Sequence, residues 1–325
     1  MIGWIVLTVA VLAFLLNVVA PYLLSKLAID YFEADAVLRP RSSPPDADAE
    51  TLTVQTPDGV PSSVAVWNRD AGGPVTVFCP EAGGVKWSAT YYAAALLEAG
   101  RTVVAFDFRN QGESGETAGY QPSHWLSEFE VTDAAAVVEW VGEAAGLAGR
   151  EVRLFGVSRG ACAAAVVAAR DASLKHVLLD GVYPTRSLML SYLYKWGTLK
   201  VPKWVVDYVP DWHLQLTMDF ARMTSGRRRG CRYVDVASVA KRLRGREVWV
   251  VAGKRDAYVP TEVTRRLAVA AGVPDERLWV VPKARHNEAR LVDEAAYDRL
   301  VLRLLTDAGV DAEAVVAGAS PVPAL

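Results

Sequence analysis

Gly156-Val157-Ser158-Arg159-Gly160 sets a serine between two glycines. The apolar run Val152 to Phe155 ahead of it reads as a strand, and the small-residue run Ala161-Cys162-Ala163-Ala164-Ala165 behind it reads as a helix. A serine on so sharp a strand-to-helix turn presents its hydroxyl as a nucleophile. The glycines permit the turn, the alanines let the helix pack closely, and the helix N-terminus places positive partial charge near the attacking oxygen. The pentapeptide alone is a weak signal, and a serine in an ordinary strand–helix turn is its competing reading. The flanking elements favour the nucleophile.

A serine needs a base to take its proton and an acid to hold that base. His286 lies in Pro282-Lys283-Ala284-Arg285-His286-Asn287-Glu288, just after the apolar run Leu278 to Val281. Asp256 lies in Ala252-Gly253-Lys254-Arg255-Asp256-Ala257-Tyr258-Val259-Pro260, just after Val248 to Val251. Both stand at strand carboxyl ends, the same sheet edge as Ser158. His286 would accept the serine proton and later protonate the leaving group, while Asp256 would fix its tautomer. His124, His176 and His213 follow no late strand and read as structural. Asp180, which ends another strand, is the rival acid, and chain position favours Asp256. Asp107 reads as a carboxylate bracing its own loop.

Short β-rich runs must position these residues. Thr51 to Thr56 and Ser62 to Asn68 read as an antiparallel pair joined at Pro57-Asp58-Gly59. Val75 to Cys79, Thr102 to Phe106, Val152 to Phe155, His176 to Leu179, Val248 to Ala252 and Leu278 to Val281 follow. Helical patterns at Tyr91 to Ala99, Glu128 to Ala145 and Ala161 to Arg170 lie between them. Strand–helix alternation with wholly apolar strands predicts an α/β protein whose mostly parallel sheet carries helices on both faces. Residues 183 to 245 interrupt the alternation and carry Tyr192, Tyr194, Trp196, Trp204, Tyr208, Trp212 and Phe220. An insertion there would lie over the strand carboxyl ends as a helical lid. Its aromatics either line an acyl pocket or simply pack the lid down.

Ile2 to Leu24 is apolar and uncharged, long enough to span a bilayer. No Lys or Arg precedes it, and Pro21 follows its best cleavage-like stretch, so a retained transmembrane helix is favoured over a signal peptide. Lys26, Arg39 and Arg41 follow it, which favours a cytoplasmic catalytic domain; Asp30, Glu33 and Asp35 count little. The expected organisation is an anchor at 1–28, a Pro-, Ser- and charge-rich linker at 29–50, a catalytic domain at 51–308 and a flexible tail at 309–325. A net charge of -2 gives no basic excess for nucleic acid. The run Arg227 to Arg229 reads as a solvated loop. Cys79, Cys162 and Cys231 lack metal-ligand spacing and form no disulfide framework, which fits a reducing compartment.

The elbow, the Gly253-Lys254-Arg255-Asp256-Ala257-Tyr258-Val259-Pro260 segment and the loop Asp107-Phe108-Arg109-Asn110-Gln111-Gly112-Glu113-Ser114-Gly115 resemble the α/β-hydrolase superfamily from about Thr51 to Asp307. With its apolar N-terminus, the chain is most similar to the membrane-anchored Bem46-like serine hydrolases. Asn110 stands where that family usually has Gly. The resemblance implies an oxyanion hole built from the backbone N–H groups of Ala82 and Arg159. It also implies His-Gly after the third strand, where this chain has Pro80-Glu81-Ala82-Gly83-Gly84. A carboxylate aimed at a developing negative charge would oppose catalysis. Either Glu81 points away or pairs with a cation such as Arg159, the preferred reading, or it serves a positively charged substrate.

The expected activity is hydrolysis of an ester, thioester or amide through an acyl-enzyme on Ser158. The substrate would be a small molecule or a lipid-like acyl compound. No metal or organic cofactor is implied, and the membrane is a partner through the N-terminal helix. A peptidase of the same fold and a catalytically silent, tethered interaction protein are the alternatives. Retention of all three candidate residues speaks against the silent one.

Overall fold

A computed structural model of the chain describes residues 1–33, 40–41, 44–196, 202, 204 and 208–306. The expected tail at 309–325, Asp35, Arg39 and much of the middle of the insertion lie outside the described residues.

Eight strands form one sheet: β1 (Glu50–Gln55), β2 (Pro61–Trp67), β3 (Val75–Cys79), β4 (Val103–Phe106), β5 (Val152–Val157), β6 (His176–Asp180), β7 (Glu247–Gly253) and β8 (Leu278–Val281). Their order is β1-β2-β4-β3-β5-β6-β7-β8. The β1/β2 and β2/β4 pairs are antiparallel, and every other pair is parallel. The helices between them are α3 (Ala89–Tyr92), α4 (Ala94–Glu98), α5 (Glu128–Glu143), α6 (Arg159–Arg170) and α9 (Thr261–Ala271), and α10 (Ala289–Val292) and α11 (Glu294–Leu305) follow β8. One helix was expected over Tyr91 to Ala99; the chain instead forms α3 and α4, broken at Ala93 with φ -103° and ψ 17°.

Side-chain alternation along each strand divides the core in two. Val75, Val77, Leu154, Val248 and Val250 join α5, α6 and α9 on one face. Phe78, Phe155, Trp249 and Val251 join α3, α4 and α11 on the other. Both faces are thus sealed, as an apolar parallel sheet requires.

Two features depart from the expected organisation. The insertion carries α7 (Thr185–Trp196) and α8 (Asp211–Arg228), so Arg227 and Arg228 end a helix rather than lie in a loop. The N-terminal helix also does not stop at residue 28. It comprises α1 (Ile2–Phe14), a π-helical turn (Leu15–Val19) and α2 (Ala20–Glu33). Ile2 to Leu16 is exposed on every side, whereas Pro21, Ser25, Ala28, Ile29 and Phe32 are buried. Phe32 stacks on Trp125 at 4.9 Å between ring centroids, and its carbonyl accepts from Trp125 Nε1 at 2.8 Å. The stretch expected to begin a linker is therefore a docked helix.

Candidate active site

The elbow is held open against a steric gradient. Ser158 has φ 53° and ψ -117°, a region non-glycine residues seldom enter. Its N–H donates to Asp180 O at 2.7 Å, and its carbonyl accepts from Cys162 N at 3.1 Å. A methyl group on Gly160 would come within 2.1 Å of Cys79 O and 2.4 Å of Pro80 O. One on Gly156 would meet Gly160 O at 2.4 Å. Both glycines are thus required by backbone approaching backbone, and α6 starts directly against the end of β3.

That closeness brings the three residues read from the sequence together at one sheet edge. His286 Nε2 lies 2.8 Å from Ser158 Oγ. His286 Nδ1 lies 2.6 Å from Asp256 Oδ2. The other carboxylate oxygen of Asp256 accepts from the Tyr258 and Val259 N–H groups, each at 2.8 Å, so the turn itself aims the carboxylate. With Nδ1–H donating to Asp256, Nε2 is left as the acceptor for the serine hydroxyl. All three side chains are buried. Burial pulls the His286 pKa down, but the charge and hydrogen bond of Asp256 outweigh it, and the net shift is upward.

Asp180, the rival acid, faces elsewhere. Its Oδ2 accepts from Tyr297 Oη at 2.8 Å, and burial pushes its pKa up to about 6. Residue Gly181 was not singled out in the sequence, although its place after Asp180 at a strand end was a signal. With φ +69° it lies against the His286 ring. His124 also borders the site: burial first, then the charges of Arg159, Arg229 and His286, hold its pKa down to about 3.

Of the two residues named for an oxyanion hole, Arg159 follows the nucleophile and opens α6, and Ala82 lies two residues after Pro80, whose carbonyl packs against Gly160. Among the described residues, neither the Ala82 nor the Arg159 N–H makes a turn or loop backbone hydrogen bond. Of the two arrangements expected for Glu81, pointing away or pairing with a cation such as Arg159, the structure shows the first. Glu81 Oε1 accepts from the backbone N–H of Arg41 at 2.8 Å, which turns the carboxylate toward Gly84. Burial raises its pKa and so favours the neutral acid. Arg159 turns the other way, to Ser123 O at 2.6 Å and Glu130 at 3.4 Å, over the Phe108 ring.

The loop after β4 is braced as its sequence suggested. Asp107 accepts from Lys86 N, Lys86 Nζ and Glu113 N at 2.6, 2.9 and 2.9 Å. Asn110 adopts φ 58°, a conformation asparagine tolerates, which is why it can stand in a glycine's place.

A family model described as "Alpha/beta hydrolase family" matches residues 72–301. Uncharacterised proteins of two Mycobacterium tuberculosis strains are each 25% identical over 261 residues, covering 80% of this chain and 80% of their own. Among solved structures, an esterase of Pyrococcus furiosus superposes with a TM-score of 0.59 at 20% identity, over 82% of this chain and 95% of its own. An esterase from Exiguobacterium antarcticum gives 0.53 at 18%, over 78% and 99%. At these identities the two esterases speak for a shared fold.

Proposed function

This chain belongs to the alpha/beta hydrolase family, and on that premise we propose that it is a serine hydrolase cleaving an ester, thioester or amide. The observation that carries the reading is the continuous hydrogen-bonded line from Ser158 Oγ through His286 to Asp256. Ser158 Oγ attacks the carbonyl carbon while His286 Nε2 takes its proton. Asp256 stabilises the resulting imidazolium. The Ala82 and Arg159 N–H groups receive the developing oxyanion. His286 then protonates the leaving group, and a water it activates releases the acyl group from Ser158. With Glu81 held by the Arg41 backbone N–H and turned toward Gly84, its carboxyl is directed away from Arg159 and into the loop.

The same reading makes Ile2–Leu24 a membrane span of the Bem46-like kind, with the catalytic domain on the cytoplasmic side and the insertion as a lid. Thr8 Oγ1 donates to Trp4 O and Asn17 Nδ2 to Ala13 O, each at 2.8 Å. These polar side chains are thereby satisfied within their own helix, as a lipid environment demands. A span so placed favours an acyl lipid or another membrane-borne ester as substrate.

The test is covalent labelling of the full-length protein with a fluorophosphonate. Wild type should label and Ser158→Ala should not. Folded wild-type protein that does not label would leave the fold without the proposed chemistry.

A further inference from the structure

We propose that the start of α8, with Trp204 and Tyr208 ahead of it, enters the bilayer leaflet beside the N-terminal helix, so that the occupant of this exposed face is lipid. The proposal rests on the reading of Ile2–Leu24 as a membrane span.

Three contacts show that α8 runs alongside the π-helical turn and α2 in the same direction. His213 meets Leu16, Phe220 meets Tyr22 edge-on at 5.8 Å between centroids, and Arg228 meets Glu33 at 3.6 Å. The first charge after the span is Lys26, whose Nζ lies 5.1 Å from the Tyr22 ring centre. An aromatic and a lysine together mark the water interface of a spanning helix. Leu16 is then roughly 12 Å of helix deeper than Leu24, at about 1.5 Å per residue. Whatever touches Leu16 lies at that depth.

The contact at Leu16 has a chemical reason. In the π-helical turn the Ala20 N–H bonds to Leu15 O, one residue further back than in an α-helix. Pro21 is next in line and has no N–H, so the Leu16 carbonyl loses its intrahelical donor. In water such a carbonyl would be solvated; in lipid it needs a protein donor. His213 Nε2 supplies it at 2.8 Å.

The residues leading up to His213 are dressed for lipid. Trp204, Tyr208 and Trp212 recur every fourth residue and are 65%, 85% and 55% exposed. Lys200 and Lys203 precede them in the sequence. Large exposed aromatics with lysines close by in the sequence are the composition of an interfacial segment. Leu16 and Leu23, on the adjoining helix, are more than half exposed as well. A bilayer that accommodates the span already stands at this height, so lipid covers both surfaces together.

The test places nitroxide labels on introduced cysteines at Tyr208, Trp212, Leu12 and Arg266 of the full-length protein in phosphatidylcholine–phosphatidylglycerol vesicles. The native cysteines are all buried. Power saturation should show labels at 208 and 212, like that at Leu12, reached by oxygen and shielded from a water-soluble nickel chelate, with Arg266 the reverse. Labels at 208 and 212 as open to nickel as Arg266, with Leu12 still shielded, would overturn this inference and leave the span intact. Nickel access at Leu12 would overturn both. Dipolar broadening at 212 that disappears on dilution with unlabelled protein would put a second copy on this face and overturn the lipid assignment.

Discussion

Gly181 lies against the imidazole of His286: a methyl group there would stand 3.2 Å from Cε1 and 3.6 Å from Nδ1, and 2.9 Å from Asn287 Oδ1. Gly181→Ala would therefore push the ring, in addition to straining a backbone at φ +69°. A displacement approaching 1 Å at a catalytic group costs on the order of 10²-fold. The expected result is a loss of that size in kcat with an unchanged circular dichroism spectrum. Full activity would show that the ring position tolerates more than the geometry suggests.

The two carboxylates near the site should separate cleanly. Asp256→Asn keeps the shape but loses the charge that holds His286, and should lower kcat by roughly 10³- to 10⁴-fold. Asp180→Asn should stay within about tenfold of wild type, since residues outside the proton path are not part of the acting unit. An inverted order in these two rates would reassign the acid.

Asp180 also makes a stability prediction. Its folded pKa is raised from 3.8 to about 6, so its favourable contribution is complete below 3.8 and is lost as pH rises through about 6. At pH 7.5 the wild-type fold must hold a buried carboxylate, whereas the amide of the Asp180→Asn variant brings no charge to bury. Asp180→Asn should thus be the more stable protein at pH 7.5, by on the order of 2 kcal/mol. That advantage should fade as pH falls from 6 to 4. Urea denaturation at the two ends of the range measures it.

His286 acts as a base only when neutral. Because Asp256 lifts its pKa above the usual 6.5, the rising limb of kcat/KM against pH should fall above 6.5. In Asp256→Asn the lifting charge is gone while burial remains, so the imidazole should titrate lower. The first is read from a rate profile between pH 5 and 9, the second from an NMR titration of the ring.

Gly160→Ala tests the elbow. Its methyl would press on two carbonyl oxygens of the β3 end, and backbone cannot step aside as a side chain can. Overpacking of this kind typically costs about 1–3 kcal/mol. Both the denaturation midpoint and kcat should fall, because α6 must move off the sheet that holds Ser158.

What the sequence discloses and what it conceals divide along contact distance. Val75–Cys79 is legible because all five of its positions are buried and four of them are apolar, so the single Thr76 does not blur the run. The placement of Ser158 is equally local, written in the glycines on either side. The Arg41 backbone N–H that holds Glu81 lies 40 residues earlier, so residue types near Glu81 left its partner open. The extension of α2 is hidden for a related reason. Lys26, Asp30 and Glu33 give the segment a linker's polarity, and its apolar face gains meaning only against Trp125, far along the chain. The break at Ala93 has no local breaker at all.

The stacking of Phe32 on Trp125 also decides what a shortened chain can be. A protein begun at residue 50, where the strands start, would keep every strand and Ser158, Asp256 and His286. It would also leave the Trp125 face and the Tyr233 edge, both covered by Phe32, open to water. Uncovered aromatic surface of that kind drives self-association. A protein begun at Ala20 would discard most of the greasy helix and keep its cover. Solubility in this hydrolase thus turns on where the cut is made as much as on how much oil is removed.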